Sequence, residues 1–531
     1  MAGGAMSRML VRGVLAGCFA RGIDEYVVCA GARNAALVVA LLRAEGVRVW
    51  AHFEERSAGF FALGRTMVTG RPCAVVTTSG TAVAELLPAV IEAHYQGRPL
   101  VVVSADRPAA YRGTGAPQAI QQPGIFGGYV GGSNDIAGEI ADGLFAGWDG
   151  RCPWHLNVCL GEMGEADAPL GQPAEFVAQR NAFETAGLAT FLRKDVFRGL
   201  VVMLGGLDTH DCEEVFHFLV QLGVPVLADA ASGLREALGR LVLTDGDLLL
   251  AHNPPAKILR LGDVPVGRFW RDLEDRPEIE VFSVTRSGFS GLARPSRVVV
   301  GDVGRVIRGL GSVAEVGDVL DHFPASTRRR AIVDELLEAW PDSEPGLLRT
   351  LSGYAATGSG VFLGNSLPVR EWGMFAQTQH PYPAVHAARG ANGIDGQLST
   401  WLGTSADDAA AWGVFGDLTT MYDLAAPALL GQLVKVGRRL VIINNGGGKI
   451  FSRVASLRGL PAPEMEVITN AHSQGFEAWA AMWQLGYVRV AAVEDFDALD
   501  ERPEALVVEV VPNAEQTEGF WRAYEAAGGH G

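Results

Sequence analysis

A chain of 531 residues with 48% hydrophobic content, 20% charged content and 67 glycines reads as roughly three α/β domains rather than one core, a fibre or a disordered polymer. Its net charge of −16 and pI near 5.2 disfavour nucleic acid and anionic membranes, which call for a basic surface. Six cysteines, at 18, 29, 73, 152, 159 and 212, form no CxxC pair, which argues against a disulfide framework or zinc site and for a cytoplasmic protein with reduced thiols.

The N-terminal stretch carries Arg8, Arg12 and the short apolar run VLAGCFA, and leads straight into EYVVCAG. It is not read as a secretory leader, and no run approaches the ~20 apolar residues of a membrane span. Residues 1–180 then alternate helix-like segments with EYVVCAG, VRVWAHF, PCAVVTTSG and PLVVVSADRP. Such βαβ grammar predicts a parallel sheet with ligands at the carboxyl ends of its strands. HFEERSAGF (52–60) ends a strand and opens a helix, offering Glu54 and Glu55 as acids. A central α/β unit, 190–330, runs through GLVVMLGGL, VPVLADA, ILRLGDV and VVVGDVG. Its GGLDTHD turn lacks a nucleotide fingerprint. After a charged helix and linker at 327–346, a third unit, 345–531, contains GVFLGNS, YPAVHAARG, AWGVFGD, RRLVIINNGGG and ALVVEVVP. The fold class is therefore α/β, with three doubly wound parallel-sheet domains, the outer two alike.

Two strand ends in the third unit stand out, VFGDLTTMYDL and VIINNGGGKI. The second is no Walker A loop, since Ile443 and Ile450 occupy the glycine and Ser/Thr places, and no dinucleotide fingerprint, since Phe451 replaces the third glycine. From Asp417 to Asn445 lie 27 residues, room for one crossover helix (AAPALLGQLVKVG) between adjacent parallel strands. The two side chains then sit side by side. A carboxylate, an amide oxygen and a backbone carbonyl suit Mg²⁺ that draws further ligands from a diphosphate, and the glycines let the backbone approach closely.

This pattern resembles the thiamine diphosphate (ThDP) enzymes, whose signature is Gly-Asp-Gly, two dozen or more residues, then Asn-Asn; here the first part reads GDL. The resemblance implies ThDP as cofactor, with Mg²⁺, or alternatively Mn²⁺, held by Asp417, Asn445 and the Gly447 carbonyl. Residues 1–180 become the pyrimidine-binding domain and 345–531 the diphosphate-binding domain. Helical spacing leaves Glu54 and Glu55 equivalent, whereas similarity to the family's acidic-Glu-Arg pattern favours Glu55 as the catalytic acid at the aminopyrimidine N1′. Ser79, Ile394, Gly416, Leu418, Ile450 and Phe451 complete the cofactor contacts, Ile394 matching the apolar wedge that bends ThDP.

Within the family the stretches CAGARN, TTSGTAVAELLPAVIEA, SADRP, QAIQQPGIF, GNSLPVREW, ARGANGIDGQLST and NNGGGKIFS are similar to those of a menaquinone-pathway transferase, a carboligase. That likeness implies decarboxylation of 2-oxoglutarate and 1,4-addition of the resulting carbanion to isochorismate. It assigns the substrate carboxylates to Arg33, Arg107, Arg268, Arg370 and Arg389, with Gln118 and Ser366 as neutral donors. It further implies a homodimer or a homotetramer built as a dimer of dimers. Ala32, Pro117, Gln121 and Gly267 depart from the pattern and remove polar groups from the acceptor side. The alternatives are a ThDP decarboxylase or carboligase with a different acceptor, and a non-catalytic ThDP-fold subunit.

Overall fold

The computed structural model describes residues 2–140, 143–161, 170–177, 183–193, 199–311, 321–434, 436–499 and 504–529. Continuous Val/Ile runs bury both faces of a strand and so pair in parallel sheets; all three sheets among these residues are parallel. The first holds β1 (Glu25–Val28), β2 (Arg48–Ala51), β3 (Cys73–Thr77), β4 (Leu100–Asp106), β5 (Gly132–Ile136) and β6 (Trp154–Cys159), in the order β2-β1-β3-β4-β6-β5. The second holds β7 (Leu200–Leu204), β8 (Val226–Ala228), β9 (Lys257–Leu261), β10 (Glu280–Thr285) and β11 (Arg297–Val300), in the order β11-β10-β9-β7-β8.

The third sheet holds β12 (Gly360–Leu363), β13 (Val385–His386), β14 (Ala411–Gly416), β15 (Arg439–Ile443), β16 (Gly486–Val490) and β17 (Leu506–Val510). Its order, β13-β12-β14-β15-β17-β16, repeats the first sheet's order strand for strand. The expected likeness of the two outer sheets is thus one of topology.

The chain forms two compact units. One comprises Met1–Asn181, Gly390–Asp407 and Asp423–Leu433 and contains the first sheet; the other comprises Ala182–Arg389, Asp408–Tyr422 and Val434–Gly531 and contains the remaining two. The boundary read at 180 lies outside the described residues. In the first unit the helix Ala2–Ala20 packs Leu10, Val14, Leu15 and Phe19 into the core beside Val76 and Val103. No helix among the described residues is long and apolar enough to cross a membrane.

One local expectation is corrected. The segment AAPALLGQLVKVG forms no crossover α-helix. A one-turn helix, Asp417–Met421, is followed by 3₁₀ turns at Ala426–Gln432, because Pro427 removes a donor and Gly431 weakens helix. The adjacency survives: β14 and β15 pair in register from Trp412↔Arg439 to Gly416↔Ile443.

In the first unit, the helices Glu55–Thr69 and Gln397–Thr404 meet through glycines. A Cβ on Gly64 would lie 2.2 Å from the Thr400 carbonyl oxygen, and one on Gly403 would lie 2.2 Å from that of Phe61. Arg65 locks the contact, pairing with Glu25 and Asp407, each at 2.8 Å.

His155, on β6, makes the first unit acid-sensitive. Its buried ring lies 2.7 Å from Ser104 Oγ, and burial, only partly opposed by Asp135, lowers its pKa to about 4. Unfolded histidine takes a proton near 6.5, so between those values acid favours the unfolded chain. The stabilisation is complete above about 6.5 and is lost as pH falls toward 4, a change of about 3 kcal/mol. The melting temperature of His155→Gln should therefore fall less than the wild type's between pH 7 and pH 4.5; parallel curves would disprove this.

Candidate active site

In the second unit, four adjacent strands deliver side chains to one carboxyl edge. β12 leads to Ser366, β13 to Arg389, β14 to Asp417 and β15 to Asn445. Asp417 Oδ2 accepts the N–H groups of Gly446 and Gly447, both at 2.9 Å, and Oδ1 accepts that of Leu418 at 2.6 Å. One carboxylate thus ties the two strand ends together. Burial raises its pKa, against the pull of those N–H groups and of His472, whose Nε2 lies 3.2 Å from Oδ2.

Asn445 presents the complementary oxygen. Its Nδ2 donates to both oxygens of Glu344, each at 3.0 Å, leaving Oδ1 buried without a hydrogen-bond partner. The Gly447 carbonyl accepts Lys449 N–H at 2.8 Å and keeps a second lone pair. Only glycine fits there: φ is +127° and a Cβ would lie 2.6 Å from the Thr469 carbonyl oxygen. An orphaned amide oxygen, a carboxylate and a carbonyl form a set fitted to a hard cation such as Mg²⁺. Leu418 and Ile450 are half-buried beside these loops and Phe451 is exposed.

Along the same edge Ser366 holds a positive φ of +74°, and its carbonyl accepts Arg370 Nη1 at 2.6 Å. Buried Arg389 donates to Asn365 Oδ1. Burial first, then the charges of Arg389 and Arg271, hold Arg370 below its ordinary pKa, with Asp229 opposing. Such crowding of cations favours a carboxylate ligand. Arg268 and Arg370 line one cavity of about 600 Å³.

In the first unit, Arg33, Glu55, Ser79 and Arg107 follow the ends of β1, β2, β3 and β4, neighbours in the sheet. Geometry separates the two candidate acids. Glu54 caps the helix, accepting from Arg56 N–H at 3.1 Å, Ser57 N–H at 3.0 Å and the Ser57 hydroxyl. Glu55 is the first helical residue, and burial, with help from the charges of Glu54 and Glu85, raises its pKa. The Ser79 hydroxyl is buried and unpartnered. Arg33 donates to the Leu160 carbonyl at 2.9 Å. Gln118 is exposed with φ +57°, and Ile394 is half-buried.

Sequence reasoning missed Glu344, His472 and Asp423. Glu344 reads in DSEPG as a solvated first-turn acid. It is in fact buried, which raises its pKa, and no local pattern signals that. Asp423 is equally hidden: burial pushes it to about 6 while it accepts the Ser399 N–H at 2.8 Å and hydroxyl at 3.0 Å, with Ser57 Oγ 3.0 Å away.

Residues 9–125 match the family described as thiamine pyrophosphate enzyme, N-terminal TPP binding domain. A 2-succinyl-5-enolpyruvyl-6-hydroxy-3-cyclohexene-1-carboxylate synthase of Akkermansia muciniphila is 49% identical over 96% of this chain and 97% of its own length. Its namesake in Bdellovibrio bacteriovorus is 37% identical over 95% and 96%, and that of Chloroflexus aurantiacus 32% over 92% and 89%. With relatives of that name 49% and 37% identical over nearly the whole of both chains and a thiamine pyrophosphate domain over residues 9–125, the chain belongs to the 2-succinyl-5-enolpyruvyl-6-hydroxy-3-cyclohexene-1-carboxylate synthases, within the thiamine diphosphate enzymes.

Proposed function

We propose that the chain decarboxylates 2-oxoglutarate and adds the four-carbon remainder to isochorismate, forming 2-succinyl-5-enolpyruvyl-6-hydroxy-3-cyclohexene-1-carboxylate in menaquinone biosynthesis. The observation that carries this reading is the cradle of Asp417, the orphaned Asn445 oxygen and Gly447, flanked on its own sheet edge by Arg370 and Arg389. Asp417, Asn445 and the Gly447 carbonyl would hold Mg²⁺, a hard cation suited to carrying a diphosphate. Bound thiamine diphosphate supplies the electron sink for decarboxylation. Glu55, with its raised pKa, holds a proton at the aminopyrimidine N1′.

Residues 1–180, 190–330 and 345–531 serve as pyrimidine-binding, central and diphosphate-binding domains. The protein acts in the cytoplasm as a homodimer or dimer of dimers, Glu55 of one protomer serving the cradle of its partner. Incubation with ThDP, Mg²⁺, 2-oxoglutarate and isochorismate should yield the adduct and CO₂. Release of CO₂ without adduct would favour a carboligase with another acceptor, a reading that the exposed Ala32, Pro117 and Gln121 support; no CO₂ would leave a non-catalytic subunit.

Arg370 and Arg389 also predict the donor. 2-Oxoglutarate should exceed pyruvate in kcat/KM by about 10- to 150-fold, because pyruvate leaves guanidinium groups without a carboxylate. Equal values for the two donors would remove this assignment.

A further inference from the structure

The helix Arg268–Asp272 begins against Asp247, whose carboxylate accepts the N–H of Arg268 at 3.0 Å and that of Phe269 at 2.9 Å. This cap leaves no space before the helix. A Cβ at Gly267 would lie 2.6 Å from Asp247 Oδ1, so position 267 cannot carry a cation without displacing the carboxylate that holds the helix. The departure noted in the sequence at Gly267 thus has a local cause.

Three residues beyond Arg268, on the same helix face, stands Arg271. Arg268, Arg271 and Arg370 line the same cavity of about 600 Å³. Among the described residues the Arg271 side chain has no hydrogen bond or ion pair, while Arg268 has only Asp272, 4.0 Å away. The cavity is lined by five acids, Asp229, Asp245, Asp247, Asp272 and Asp334, against seven arginines. Asp229 accepts the N–H groups of Ala231 and Val266, Asp245 pairs with Arg329, Asp247 caps the helix and Asp334 pairs with Arg349. The positive charge of Arg271 reaches Arg370. A cavity whose arginines outnumber its acids is suited to an anion.

We infer that Arg271 is a specificity-determining residue that pairs with a carboxylate of the acceptor, supplying from one helical turn further on the cation that Gly267 cannot bear. The inference rests on the proposed function, with isochorismate as the dicarboxylate acceptor. Its test uses full-length enzyme with ThDP and Mg²⁺, comparing wild type, Arg271→Gln, Arg271→Lys and Arg271→Met, each substrate varied while the other is saturating.

Arg271→Gln should raise KM for isochorismate by about tenfold or more, the scale of one charge-assisted contact, with kcat and KM for 2-oxoglutarate nearly unchanged. Arg271→Lys, which keeps the charge, should recover most of the loss, whereas Arg271→Met, which keeps an apolar stem without the charge, should not. An unchanged isochorismate KM in Arg271→Gln, or a rise confined to 2-oxoglutarate, overturns the inference while the proposed function stands. Wild-type enzyme that forms no isochorismate adduct overturns the proposed function itself, and this inference with it.

Discussion

Glu55→Gln should slow turnover by about 10²- to 10⁴-fold, the range of general acid-base catalysis, while Glu54→Gln leaves the chemical step nearly intact. Glutamine keeps the shape of Glu55 but cannot share a proton with N1′. The raised pKa of Glu55, caused first by burial, favours its protonated form relative to an exposed carboxylate. Glu54, by contrast, spends its carboxylate on the N–H groups of Arg56 and Ser57. Its loss should appear as a lower melting temperature, corresponding to about 0.5–2 kcal/mol of capping. Hydrogen exchange at C2 of bound ThDP, followed by NMR, reads the proton relay directly. Equal loss of exchange rate in both variants would end the distinction.

Asp417→Ala should weaken magnesium-dependent ThDP binding by more than about 100-fold, the upper end of what an outer-shell partner of a metal typically costs. Two losses combine in it. The cation forfeits its carboxylate, and the Gly446 and Gly447 N–H groups forfeit the acceptor that joins the ends of β14 and β15. Calorimetric titration with ThDP, with and without Mg²⁺, separates metal-dependent affinity from the remainder, and circular dichroism checks the fold. Unchanged affinity in the presence of magnesium would place the cradle elsewhere.

The parts of this site legible in the sequence are those written in local grammar. Apolar runs ending in GD and NNGGG announce parallel strand ends, and their spacing announces adjacency, because both signals depend on chain geometry alone. The strands TrpHisLeuAsnValCys of β6 and GluValPheSerValThr of β10 escaped because interspersed polar residues blur their apolar runs; His155, Asn157 and Ser283 are buried polar groups whose environment is set by neighbouring strands. Glu344 escaped for the same reason: the pairing with Asn445 spans 101 positions of chain. The choice between Glu54 and Glu55 lay in between. Helical spacing leaves both as first-turn acids, the family's acidic-Glu-Arg pattern favours Glu55, and the hydrogen bonds show Glu54 to be the helix cap.

The helix that begins at Glu55 is seated where Gly64 and Gly403 let two backbones touch, nine residues along, or about 14 Å at the rise of an α-helix. A rigid rod transmits displacement along its length, so a single methyl group at either glycine acts as a wedge under the far end of a lever. Gly64→Ala or Gly403→Ala should therefore lower the melting temperature and also shift the end of the helix that carries Glu55.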